Sequence, residues 1–214
     1  MNLTKKIPLF PLGMVLLPEM MIPLHIFEER YKSMISECLE EEKEFGIVYY
    51  DGSDIKSIGC TAAITKVTRR YPDGRMDIMV RGYHRFTIDN VHEDKDYMES
   101  EVTYLEDIDI EDFEISPSLL EKARELIEKI VKLTQRGSSA LSPDISDPTK
   151  LSFIIAGIDA FSYEEKQGFL EMDSTAERLD KGVEALEQII ERIKINAEIR
   201  KIIDGNGHLP ELLK

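Results

Sequence analysis

The chain has 214 residues, of which 42% are hydrophobic, enough to fill a core and too many for global disorder. Its net charge of −15 opposes general binding to phosphate backbones, and no apolar run reaches the ~20 residues needed to span a bilayer. Cys38 and Cys60 form no CxxC pair and sit in apolar surroundings, so they read as buried thiols in a reducing compartment; with a proline-broken N-terminus that lacks a small-residue cleavage site, they place the protein in the cytoplasm.

Three short apolar runs open the chain, cut by Pro8, Pro11, Pro18 and Pro23. Proline removes a donor and fixes φ, so the segment reads as two short edge-like strands around a loop at Gly13–Pro18. Phe27, Tyr31, Met34, Ile35 and Cys38 recur at steps of three and four, which predicts a helix from about Glu28 to Glu42. Phe45–Tyr50, closed by Asp51-Gly52, predicts a strand. Gly59–Arg70 and Arg75–Val91 predict a long hairpin whose connector, Tyr71-Pro72-Asp73-Gly74, has the chemistry of a tight turn. Gly82 interrupts the alternation in the second arm and predicts a bulge or sharp bend. A last strand covers Tyr97–Leu105. Six strands, one helix and a bent hairpin predict a small, partly closed barrel.

Glu106–Glu114 holds six acids in nine residues and reads as a solvated linker over 107–115, dividing a β-rich domain at 1–106 from a helical bundle at 116–214. Ser116-Pro117 and Asp147-Pro148 each pair an N-cap with proline at the first helical position. Ser162 with Glu165, and Ser174 with Glu177, have capping-box spacing. In the last helix Leu179, Val183, Leu186, Ile190, Ile193 and Ala197 form a coiled-coil-like seam, closed by Gly205-Asn206-Gly207. That seam packs within the bundle or supports self-association along Leu179–Ile203.

Catalytic signatures are missing. There is no phosphate-binding loop, no GxSxG, HExxH or GxGxxG, and His25, His84, His92 and His208 are widely spaced with no cysteine or acid cluster beside them. Neither a metal, a cofactor nor a catalytic residue is expected. Two features remain. Met14, Leu16, Leu17, Met20 and Met21 gather soft apolar side chains in one loop-and-strand segment; exposed, they would bind varied apolar polypeptide, and folded inward they are core. Lys66, Arg69, Arg70, Arg75, Arg81 and Arg85, interleaved with Tyr71 and Tyr83, give residues 66–85 a net charge of +4. Arg69, Arg70, Tyr71 and Arg75 are the candidate contacts to an acidic partner or RNA, against the plainer reading of arginines paired with the chain's own acids.

Pro8-Leu9-Phe10-Pro11-Leu12-Gly13, Pro18 and Pro23-Leu24-His25-Ile26-Phe27-Glu28, followed by Arg30-Tyr31, resemble the opening of the LON domain, especially in its forms without an attached protease. Glu29 stands where those forms often carry proline. Phe45-Gly46-Ile47-Val48, Ile58-Gly59-Cys60-Thr61-Ala62, Asp73-Gly74, Val80-Arg81-Gly82 with Arg85, Asp147-Pro148 with Leu151, Leu170-Glu171-Met172 and Glu177-Arg178-Leu179 continue the resemblance in order. It implies an α+β fold: a PUA-like pseudo-β-barrel with one helix, then a helical bundle ending in a long helix. It also implies non-catalytic recognition of unfolded polypeptides or of a protease or chaperone partner. The Lon ATPase and Ser-Lys protease modules have no counterpart here, so no catalytic residue carries over. The PUA-like fold offers RNA binding through the basic hairpin as the alternative, by analogy of fold alone.

Overall fold

The computed structural model describes residues 4–108, 115–134 and 146–206. Six strands come first with one helix among them: β1 (Thr4–Leu12), β2 (Met21–Ile26), α1 (Glu29–Glu40), β3 (Phe45–Tyr49), β4 (Ile58–Arg70), β5 (Met76–His92) and β6 (Glu99–Leu105). Four helices follow: α2 (Pro117–Thr134), α3 (Pro148–Ala156), α4 (Tyr163–Glu171) and α5 (Thr175–Asn206). The class is α+β. The strand order is β2-β5-β4-β3-β1-β6, and β6 also pairs with β5, so the pairings β1–β3–β4–β5–β6 return to β1. The 17 residues of β5 make this closure possible. Its first part pairs with β2 and β4, and its last part from Arg85 onward with β6.

β1 departs from the expectation of an edge strand. It lies between β3 and β6 despite Pro8 and Pro11. The two partners use different halves: Thr4–Pro8 face β6 and Leu9–Leu12 face β3. Each proline therefore answers to one neighbour, and its missing donor leaves no second ladder broken. β2 is an edge strand as expected.

The β4–β5 turn follows its sequence: the Gly74 N–H donates to the Tyr71 carbonyl at 3.0 Å, with Gly74 at φ +83°, where a side chain would be strained. Gly82 has a different task. The Leu17 carbonyl oxygen lies 2.2 Å from where a Cβ would stand, and the Gly82 N–H and C=O bond to the Met20 carbonyl and the Glu19 N–H. The β1–β2 loop is thus seated directly on β5.

Within the described part of the acidic run Glu106 and Ile108 are exposed, but Asp107 is tied to both the sheet and the last helix. Asp107 accepts from Arg85 of β5 at 2.7 Å through one carboxylate oxygen and from Arg178 of α5 through the other, where Thr175 also donates. Arg178 is 0% and Arg85 3% exposed. Both guanidiniums also donate to the Met172 carbonyl, Arg85 at 2.5 Å and Arg178 at 2.8 Å, and Arg178 reaches Ser152 at 2.8 Å and lies 4.0 Å over the Phe153 ring. Burial lowers the pKa of Arg178, and Asp107 opposes that shift. Residues 109–114, the rest of the run, lie outside the described residues.

Two of the expected helix caps form as written, and at a third Ser174 accepts from the Glu177 N–H at 3.3 Å. Asp147 accepts from the Thr149 and Lys150 N–H groups, and Ser162 with Glu165 completes a capping box. The larger hydrophobic cluster runs from Phe10 and Ile35 to Leu151, Leu179 and Leu186 among the helices, and a second, smaller one gathers Ile7, Leu9, Val48, Phe86 and Val102 from the strands.

Removing the Asp107 carboxylate strands two buried cations. Asp107→Ala should lose about 3–5 kcal/mol in urea denaturation, and Asp107→Asn less because the acceptor survives. Gly82→Ala should lose about 1–3 kcal/mol by overpacking against Leu17.

Candidate functional site

The proline-rich opening divides between inside and outside. Leu16 and Leu17 are 1% and 0% exposed, with Val15 equally buried. They belong to the core, so of the two alternatives left open for this segment the inward one holds for these residues, and they drop out of the candidate binding surface. Their burial follows from the seat of the loop on Gly82. Met14 and Met20 are half-buried against the core, and Met21 is exposed. In β2 the side chains alternate, with Ile22 and Ile26 inward and Met21, Pro23 and His25 outward. Phe27, just past the strand, is among the most exposed large apolar side chains. Its ring stacks on His25 with centroids 5.9 Å apart.

The basic hairpin is also sorted by the fold. Arg85 is consumed in the buried joint, and Arg81 pairs with Glu19. Arg75 pairs with Asp73 at 2.7 Å. Arg70 is exposed and donates to the Met76 sulfur at 3.4 Å. Tyr71 gathers the rest: Arg69 lies 4.6 Å and Arg75 5.0 Å from its ring centroid, and its hydroxyl donates to Asp77 at 2.8 Å. Asp77 also bonds His25 Nδ1 at 2.5 Å. His25, then Tyr71, hold the Asp77 carboxyl below the usual carboxylate range. No serine, threonine or cysteine side chain hydrogen-bonds to His25 or to this carboxylate among the described residues, so the cluster lacks a nucleophile of the triad type.

These two groups, read from separate stretches of sequence, meet on one side of the sheet. β2 pairs with β5 as Met21–Arg81, Pro23–Met79 and His25–Asp77. β5 pairs with β4 as Arg81–Ala63, Met79–Lys66 and Asp77–Arg69. Partners in register share a face, so three rows of three residues form one outer surface. Register shifts at Ile64/Lys66 and Val67/Arg69 keep it that way: Thr65 and Thr68 donate to the Met79 and Asp77 carbonyls at 3.1 and 3.0 Å, and Lys66 and Arg69 both remain exposed opposite Met79 and Asp77. The sequence reading missed Phe27, Pro23 and Met79. The alternation of β2 and the exposure of its odd-numbered residues were the available signal.

Elsewhere, a cleft between β3 and α4 collects Asp51, Glu164 and Glu171 around Lys56. Tyr49 donates to Glu164 at 3.0 Å and Lys56 pairs with Asp51 at 2.8 Å, so these groups are spent on one another. No group of three His, Cys, Asp or Glu side chains able to hold a metal exists among the described residues. No described helix is long and apolar enough to cross a membrane. In the seam of α5, Leu179, Val183, Leu186 and Ile190 are buried, against α2 and α3, which removes the first half of Leu179–Ile203 from self-association; Ile195 and Ile199 beyond it are exposed.

An α+β arrangement of this kind occurs in solved Lon N-terminal domains. The Lon N-terminal domain protein from Xanthomonas campestris superposes with a TM-score of 0.66 at 23% identity, covering 83% of this chain and 96% of that one. The N-terminal domain of the Mycobacterium avium complex Lon protease gives 0.64 at 19%, covering 86% and 98%. The family model for the ATP-dependent protease La (LON) substrate-binding domain matches residues 6–188, and the chain belongs to that family. Lon protease of Escherichia coli K12 is 25% identical over 207 residues, 91% of this chain and 26% of that protein. Lon protease of Brevibacillus choshinensis is 28% identical over 188 residues, 82% and 24%. The chain thus spans about a quarter of these relatives' length, and the match is to the substrate-binding domain.

Burial pushes the Cys38 thiol up to about 11 and raises Cys60 as well. Both thiols should resist alkylation in the native protein at mildly alkaline pH and react fully once it is unfolded. Because the folded pKa values are raised, the stability these thiols contribute is complete below the ordinary thiol pKa and is lost as pH climbs through it toward 11. Denaturation midpoints measured across that range should fall. Leu17→Asp should unfold the protein, by circular dichroism, where Met21→Asp should not.

Proposed function

We propose that this chain is a non-catalytic polypeptide-recognition module. It holds exposed apolar segments of unfolded proteins, or of a protease or chaperone partner, in the cytoplasm. The observation that carries this reading is the run of Met21, 55% exposed, Pro23 and Phe27, 59% exposed, along the outer side of an edge strand, with Met79 beside Pro23 in the next strand. Apolar side chains repeated along one outward face form a patch of the kind that marks an interaction site. Methionine adapts to varied partners, and a flat aromatic ring gives contact area with little entropy to lose. Membership of a substrate-binding family supports the same reading.

Pro23 shapes the mode of contact. It sits in the middle of β2 and has no N–H to offer an added strand. Clients therefore lie across the face and do not extend the sheet by its edge.

Fluorescence anisotropy with a reduced, alkylated, permanently unfolded polypeptide tests this. Met21→Asp/Phe27→Asp should keep the native circular dichroism spectrum and bind at least about tenfold more weakly, the loss expected for two apolar anchors. Undiminished binding by that folded variant would remove the surface from consideration.

A further inference from the structure

The same face is not uniformly apolar, and its polarity has a direction. On the β2 side stand Met21 and Pro23, with Met79 in the next strand. On the β4 side stand Lys66 and Arg69, both exposed. Lys66 makes no ion pair among the described residues. Arg69 makes no ion pair either, and spends its guanidinium on the Tyr71 ring. The acids nearby are already engaged: Glu19 by Arg81, Asp73 by Arg75, Asp77 by His25 and Tyr71. Adjacent strands lie about 4.8 Å apart and residues on one face repeat about every 7 Å, so the face measures roughly 10 by 14 Å. A short extended segment covers it completely.

Resting on the recognition function proposed above, we propose that this face selects polypeptide segments in which acidic residues flank the apolar ones. The apolar side chains of the client lie on Met21, Pro23 and Met79, and its carboxylates reach Lys66 and Arg69 on the adjacent strand. Charge complementarity names the partner. Lys66 has no carboxylate partner among the described residues, and Arg69, opposite Asp77 in the register, shares that one carboxylate with His25 and Tyr71, on the surface of a chain whose net charge is −15. The overall charge repels acidic molecules at long range, so the attraction operates only where a client is already seated on the apolar side. Nucleic acid fits less well. The Tyr71 ring is already engaged by Arg69 and Arg75 and is not free to stack a base, and two exposed cations make a short track for a phosphate backbone.

Three labelled peptides with identical apolar residues and acidic, neutral or basic flanks, titrated at low and high salt, test the proposal. The acidic peptide should bind the full chain about fivefold or more tightly than the neutral one, and the basic peptide more weakly still. The difference should vanish at high salt and in Lys66→Ala/Arg69→Ala. Equal binding of all three peptides would overturn the charge selection and leave the recognition function standing. Binding of none would overturn both. A single-stranded oligonucleotide that binds more tightly than the acidic peptide, and loses affinity in Lys66→Ala/Arg69→Ala, would overturn the proposal in favour of nucleic acid.

Discussion

Two buried arginines and one carboxylate hold this molecule together. Arg85 belongs to the sheet, Arg178 to the last helix, and Asp107 to the stretch that leaves the sheet for the helices. None of the three could be buried alone. A guanidinium out of water costs several kcal/mol, recovered only when its donors are met. Here they are met by Asp107, Ser152 and the carbonyls of Leu170 and Met172. The arrangement is demanding because the acceptors come from different elements and must arrive at fixed distances. It sets how the helices sit on the strands, with Phe153 of α3 lying against both cations.

Against this rigid joint, the surface of β2 is permissive. The loop before it is buried and fastened to Gly82, so the strand emerges from a fixed base with Met21 already directed outward. With Ile22 and Ile26 turned into the core, the alternation of the strand leaves Met21 and Pro23 on the outer side. A recognition face built on strands in this way is preorganised, and its apolar side chains pay little entropy on contact. The register shifts in β4 extend it by carrying Lys66 and Arg69 to the same side.

Much of this was legible in the sequence. The helix carrying Tyr31, Met34, Ile35 and Cys38, the Asp73-Gly74 turn, the Asp147 and Ser162 caps and the inner half of the α5 seam are local patterns, and they form where periodicity and capping chemistry put them. What was not legible depends on distance along the chain. Asp107 looked like one more solvated acid because its partners lie 22 and 71 residues away. Whether Leu16 and Leu17 face water stayed open because nothing near them in sequence announces Gly82 as their seat. Pro8 and Pro11 argued for an edge strand because local chemistry cannot show that β1 divides its two neighbours end to end. Of the candidate site, Met21, Arg69 and Tyr71 were named in advance; their assembly with Pro23, Phe27 and Met79 needed the register.

The arginine joint also fixes a moment in the protein's making. Arg85 and Asp107 leave the ribosome well before Met172 and Arg178, and during that interval the strands are complete in sequence but their charges have nothing to close against. The sheet at that stage is a nascent form with an unmatched cation, exposed apolar undersides and a free edge, the kind of intermediate that aggregates or is captured by helper proteins. Only emergence of the start of the last helix commits the chain. On the recognition function proposed above, a module that holds unfinished polypeptides must itself pass through a long stage as one.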